Sequence, residues 1–103
     1  MLPVYLKIAE VPVLVVGGGL VAAHKIAWLL EQQARIRVVA LAVHPTLLAL
    51  VKANASITLF ERAYESSDCD GVRLVIAATS DETTNRCVAA DANRAGLWVN
   101  VVD

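Results

Sequence analysis

The stretch Val13-Leu14-Val15-Val16-Gly17-Gly18-Gly19-Leu20-Val21-Ala22-Ala23 decides how the rest of the chain is read. Four consecutive aliphatic residues suit a strand covered on both faces, because a half-exposed strand alternates apolar with polar side chains. Three glycines end the run, and Gly17, Gly19 and Ala22 fall in a G-x-G-x-x-A pattern between strand and helix. Gly17 permits a tight turn off the strand, and Gly19 has no side chain to keep an anion from the backbone. Ala22 is small enough to hold the following helix close to the sheet. The N–H groups of the first helical turn then face outward at the positive end of the helix dipole, where a pyrophosphate is stabilised. Three glycines also make an ordinary strand-to-helix turn. The context favours the nucleotide: an apolar strand before, a helix after, and a second strand about 20 residues on.

Working outward, short runs rich in Val, Ile and Leu recur along the chain. Val11 to Val16, Ile36 to Ala42, Ile57 to Phe60, Val72 to Ala78 and Leu97 to Val102 read as strands. Helical segments lie between them. Leu20 to Gln33 places Val21, Lys25, Trp28 and Leu29 at spacings of three and four, and Thr46 to Asn54 carries a Leu47, Leu48, Leu50, Val51 stripe. Asp81 to Ala95 follows Ser80, a suitable N-cap, and stops before Gly96, a typical residue after a helix end. Glu61 to Gly71 is polar and irregular, so it reads as a loop or a single turn. Strand–helix alternation of this kind predicts an α/β chain with a Rossmann-type, doubly wound, mostly parallel five-stranded sheet, forming one domain over 1–103.

Composition removes several classes of function. With 103 residues, 57% of them hydrophobic and 18% charged, and a mean hydropathy of +0.59, the chain is too apolar to stay solvated as coil. Nine Lys+Arg against ten Asp+Glu give a net charge of −1 with no basic run, which argues against nucleic-acid binding. The longest uncharged stretches, Val11 to Ala23 and Val38 to Val51, are broken by glycines and by His44-Pro45. Both fall short of the roughly 18 to 20 apolar residues of a membrane span, so no membrane role is expected. The N-terminus has no basic segment leading an apolar core, and Cys69 and Cys87 form no C-x-x-C pair. Reduced thiols in a cytoplasmic protein are the expectation.

One element of the dinucleotide pattern is missing. The second strand ends Val38-Val39-Ala40-Leu41-Ala42-Val43-His44, without the acid that commonly holds the ribose hydroxyls and without an arginine for a 2′-phosphate. Backbone groups around Leu41-Ala42 are left to hold the ribose. His24 and His44 are too scattered to suggest a metal site. Cys69 and Cys87 read as buried small apolar residues, Trp28 as a core residue, and Glu65, Asp68 and Asp70 as a solvated loop.

Four segments in order resemble the N-terminal domain of siroheme synthases, the precorrin-2 dehydrogenase/sirohydrochlorin ferrochelatase family. They are Leu2-Pro3-Val4-Tyr5-Leu6; Val15 to Ala22 with Lys25; Leu74-Val75-Ile76-Ala77-Ala78-Thr79-Ser80-Asp81 with Asn85; and Val99-Asn100-Val101-Val102-Asp103. The resemblance implies NAD as cofactor, with contacts at Gly17, Gly19, Leu20, Val21, Leu41 and Ala42 and with Thr79 near the nicotinamide. It implies Asp103 as the catalytic residue, serving dehydrogenation and metal insertion alike. By the same resemblance the substrates are the tetrapyrrole precorrin-2 and ferrous iron, and the full-length parent is a homodimer. Members of the family continue with a helical dimerisation segment and many carry a methylating domain, so the resemblance makes this chain the cofactor-binding part. A nucleotide-sensing regulatory module of the same fold, without catalysis, is the alternative. Such modules usually carry the second-strand acid that is missing here.

Overall fold

A computed structural model describes residues 1–102. The elements run β1 (Pro12–Val16), α1 (Leu20–Glu31), β2 (Arg35–Ala40), α2 (Pro45–Ala53), β3 (Ile57–Glu61), a 3₁₀ turn (Ser66–Cys69), β4 (Leu74–Ala77), α3 (Glu82–Arg94) and β5 (Trp98–Val101). The five strands form one sheet in the order β3-β2-β1-β4-β5, every neighbouring pair parallel. The predicted mostly parallel sheet is therefore wholly parallel among the described residues. No helix among them is long and apolar enough to cross a membrane.

The apolar runs go where two-sided burial requires. Val13 and Val15 point to one face with Ala22, Ala23, Ile26 and Leu29 of α1 and Leu47 of α2. Leu14 and Val16 point to the other, with Val39, Val75, Val88 and Ala92. Fully burying side chains such as Leu14, Ile26 and Leu29 stabilises the fold by roughly 1.5–3 kcal/mol each. Helices thus cover both faces, α1 and α2 on one and α3 on the other.

Local chemistry explains the helix ends and corrects two readings. The α3 N-cap is Asp81, not Ser80: its carboxylate accepts from the Thr83 N–H at 3.1 Å and the Thr84 hydroxyl at 2.7 Å. An ionised side chain at the N-cap accepts more strongly than a hydroxyl and favours the positive end of the dipole. Those bonds hold the Asp81 carboxyl below the usual carboxylate range, the Thr84 hydroxyl being the largest cause. Gly96 takes φ +73° just after the α3 C-cap, as the sequence predicts. Trp28 does not enter the core. It is 55% exposed, because the buried stripe of α1 is Ala22, Ala23, Ile26 and Leu29 and the Val21, Lys25, Trp28 row lies outside it.

Candidate functional site

At the carboxyl ends of the strands the chain must turn from β1, β2 and β4 into helices, and those turns crowd together. The Gly17 N–H donates to the Val39 carbonyl at 2.9 Å, and the Ala78 N–H donates to the Val16 carbonyl at 2.8 Å. Gly17 has φ +136°, a conformation that L side chains rarely adopt, and a Cβ there would overlap the Ala78 carbonyl oxygen. A Cβ on Gly18 would overlap the Ala42 carbonyl oxygen and stand 2.8 Å from the Ala40 Cβ. The middle glycine, whose role the sequence pattern leaves open, is therefore a packing necessity. It lets the β1–α1 turn lie on the β2–α2 turn.

Gly19 behaves differently. It is the N-cap of α1, supplies no side-chain cap, and a Cβ added there would meet no protein atom within 4 Å. Its open side belongs to a cavity of about 500 Å³ lined by residues from four turns. Gly19 borders it from the first turn and Leu41 and Ala42 from the second. Arg62 and Tyr64 follow β3, and Thr79 and Asp81 follow β4. No acidic residue occupies the first turn of α1, so the helix brings no anion of its own to its positive end. A pyrophosphate fits there: uncapped N–H groups, open space over a glycine, and an apolar wall at Leu41-Ala42 for a nucleoside.

The residues expected from sequence divide cleanly. Gly19, Leu41, Ala42 and Thr79 line the cavity. Gly17 shapes the turn without lining it, and the side chains of Leu20 and Val21 are about half exposed outside it. Both residues belong to the first turn of α1, whose main-chain N–H groups have no intrahelical partner. β2 ends at Ala40, so Leu41 and Ala42 lie in the turn that follows the strand. Asp103 lies outside the described residues. Val102, just before it in sequence, donates its N–H to the Ala77 carbonyl at 2.9 Å, at the same carboxyl edge.

Thr79 is fixed by a partner on α3. Its hydroxyl donates to Asn85 Oδ1 at 2.7 Å, its N–H donates to the same oxygen at 3.2 Å, and Asn85 Nδ2 donates back to its carbonyl at 3.0 Å. Asn85 is 8% exposed, so these bonds satisfy a buried amide as well as orienting Thr79. The helix-cap role that Thr79-Ser80 could have had falls to Asp81.

The segment after β3 holds what sequence reasoning missed. Asp68 is 4% exposed, not a solvated loop residue, and forms a bidentate pair with Arg62 at 2.6 and 2.9 Å. The Arg62 fork, helped by the Glu65 N–H, holds the Asp68 carboxyl below its usual range against the effect of burial. An arginine does stand in the corner beyond the end of β2, contrary to the sequence reading. It comes from the end of β3 and not of β2, because Ala40 pairs with Glu61 and brings the two strand ends level. Tyr64 donates its hydroxyl to Asp91 at 2.7 Å and contacts Cys69 Sγ at 3.3 Å. Burial and those neighbours push its phenol well above the ordinary range. Cys69 is buried as expected, but Cys87 is exposed and lines the cavity. Among the described residues no three His, Cys, Asp or Glu side chains approach closely enough to hold a metal ion. His44 instead caps α2, its Nδ1 accepting from the Thr46 N–H at 3.1 Å.

Comparison with known proteins agrees with this geometry. A family model described as NAD(P)-binding matches residues 4–103. The siroheme synthase of Methylococcus capsulatus is 41% identical over 102 residues, which make up 99% of this chain and 21% of that protein. That of Ectopseudomonas mendocina is 46% identical over the same shares. The chain thus spans about a fifth of the length of these relatives. Among solved structures, the precorrin-2 dehydrogenase SirC superposes with a TM-score of 0.82 at 29% identity, covering 97% of this chain and 48% of that one. Sequence, turn geometry and cavity converge, and the chain belongs to the NAD(P)-binding family in the stretch it shares with siroheme synthases.

Proposed function

We propose that this chain is the cofactor-binding part of an enzyme that oxidises precorrin-2 to sirohydrochlorin with NAD+ in siroheme biosynthesis. The observation that carries the reading is the open side of Gly19 over an uncapped helix N-terminus, set in a cavity at the point where the strand order reverses. Ligands of open parallel sheets bind outside the carboxyl ends of the strands at that switch point. The names and similarity of the relatives supply the substrate.

In this reading the first-turn N–H groups of α1 hold the pyrophosphate, and Leu41 and Ala42 flank the adenosine. The Thr79 main chain, oriented by Asn85, borders the nicotinamide. When bound, NAD+ accepts a hydride from the macrocycle. Asp103 takes the proton released as the hydride leaves, so that precorrin-2 loses two hydrogens in all: one as hydride, one as proton. A carboxylate within reach of the macrocycle suffices for that step. Ferrous insertion into sirohydrochlorin is a second activity of the whole protein, with iron as substrate. The parent is a homodimer working in the cytoplasm, without nucleic-acid or membrane partners.

Calorimetry on this chain tests the cofactor: saturable binding of NAD+ is expected, and a folded chain that binds neither NAD+ nor NADP+ removes the reading. In the full-length protein, Asp103→Ala is expected to abolish dehydrogenation while NAD+ binding persists. Surviving turnover in that variant means that another group takes the proton.

A further inference from the structure

Arg62 is the only cation among the described residues lining the cavity, and it stands at the corner where β2 and β3 end. Ala40 and Glu61 are register partners, so Leu41 and Arg62 are each the next residue beyond the paired ends of β2 and β3. In that corner an accessible arginine is the usual partner of a 2′-phosphate.

Its charge is already engaged. Arg62 Nη2 donates to Asp68 Oδ1 at 2.6 Å and Nη1 donates to Asp68 Oδ2 at 2.9 Å, the fork arrangement that couples guanidinium to carboxylate most strongly. Nη1 also donates to the Ala63 carbonyl at 3.0 Å, and the guanidinium lies 5.2 Å from the Phe60 ring centre. Asp68 is held from its own side as well. Its Oδ2 accepts from the Glu65 N–H at 2.8 Å, and Arg37 donates to its main-chain carbonyl at 2.8 Å. Swinging Arg62 away toward a phosphate would leave a carboxylate that is 4% exposed without its counter-charge, a costly state. A 2′-phosphate adds roughly 1.5 to 2 negative charges at neutral pH, and Asp81, the other charged residue among the described residues lining the cavity, is an anion as well.

We propose that Asp68 is a specificity-determining residue: by holding Arg62 in a bidentate pair it makes the cavity select a dinucleotide with a free 2′-hydroxyl over one carrying a 2′-phosphate. The proposal rests on the cofactor reading above and goes beyond it, because it assigns the choice between the two nicotinamide dinucleotides to a residue one strand away from the position where an acid normally makes it.

The test is calorimetry with NAD+ and with NADP+ on the unmodified chain, on Asp68→Asn and on Arg62→Gln, each checked for folding by circular dichroism. The unmodified chain is expected to prefer NAD+ by about tenfold or more. Asp68→Asn is expected to shrink that ratio by about tenfold, through tighter NADP+ binding, because the freed guanidinium gains a phosphate partner. Arg62→Gln is expected to leave the ratio within about twofold, since a paired arginine contributes little to either ligand. Three results each overturn the proposal: equal affinity of the unmodified chain for both nucleotides, a folded Asp68→Asn with an unchanged ratio, or a selective loss of NADP+ binding in Arg62→Gln. If Asp68→Asn fails to fold, the other two proteins decide the matter. Binding of neither nucleotide by the unmodified folded chain rejects the cofactor reading itself, a result distinct from binding without discrimination.

Discussion

The His44 N–H donates to the Gly18 carbonyl at 2.7 Å, joining the turn after β2 to the turn after β1. The bond holds the two turns against each other beside the cavity that Gly19, Leu41 and Ala42 line. It forms only because Gly18 lacks the Cβ that would overlap the Ala42 carbonyl oxygen. Glycines one residue apart therefore have separate duties. Gly18→Ala is expected to destabilise the fold by about 1–3 kcal/mol through overpacking, measured by urea denaturation. Gly19→Ala is expected to leave stability nearly unchanged, because its Cβ meets no protein atom within 4 Å. With the pyrophosphate placed as proposed, the same methyl intrudes on it, so NAD+ binding should be lost or fall at least about tenfold. A Gly19→Ala chain with unchanged affinity removes the pyrophosphate placement.

The Arg62–Asp68 pair also sets an acid limit on stability. Asp68 has its pKa lowered in the folded state, chiefly by the Arg62 fork. Such a group contributes stability that is fully present above the unfolded value near 3.9 and is lost as pH falls through the lower folded value. Denaturation midpoints should therefore be flat with respect to this group at neutral pH and drop below about pH 4. In Asp68→Asn that acid-dependent loss should shrink. The variant should be less stable at neutral pH by about 1.5–3 kcal/mol, a hydrogen bond to a charged group being lost.

Tyr64 pins the segment after β3 to α3. Its hydroxyl reaches Asp91, which also pairs with Arg94, while Cys69 Sγ lies 3.3 Å away. Tyr64→Phe keeps the ring and removes the bond, so a loss of about 1 kcal/mol is expected in denaturant unfolding. In the unmodified chain, alkaline titration followed by tyrosinate absorbance should show one tyrosine that ionises well above the usual range. Disappearance of that component in Tyr64→Phe identifies it.

Asn85 makes three hydrogen bonds to Thr79, two to its main chain and one to its hydroxyl. Asn85→Ala should cost about 1–3 kcal/mol by leaving Thr79 groups without partners. It should also weaken NAD+ binding more than Thr79→Val does, because the main-chain bonds to Thr79 survive the loss of its hydroxyl. Equal effects of the two substitutions would assign the orienting role to the hydroxyl instead.

Much of the architecture was legible because two-sided burial writes itself into local sequence. Runs such as Val13–Val16 and Leu74–Ala77 carry no polar residue, and a parallel strand under helices on both faces permits none. The glycine turn was equally legible, since Gly17 takes a φ of +136° that L side chains rarely adopt and Gly19 leaves open space over a helix N-terminus. Trp28 was misread because spacing alone fits two faces of α1, and only the packing of Ala22, Ala23, Ile26 and Leu29 chooses between them. Cys87 is exposed, against the expectation of a buried thiol, because its position on α3 turns it to the cavity, which its neighbours in sequence do not record.

By itself the sequence determined the order of strands and helices, the glycine turn between β1 and α1 and the family resemblance, all of which depend on residues close together in the chain. Tertiary structure decided what depends on register between distant segments. It made Gly18 indispensable by laying Ala42 against it, and it oriented Thr79 through a helix residue six positions on. It also brought Arg62 from β3 to a corner that β2 leaves without charge, then tied it to a buried Asp68. Pairing energies of that kind arise only when the sheet sets strand ends level, so no local pattern in the sequence records them.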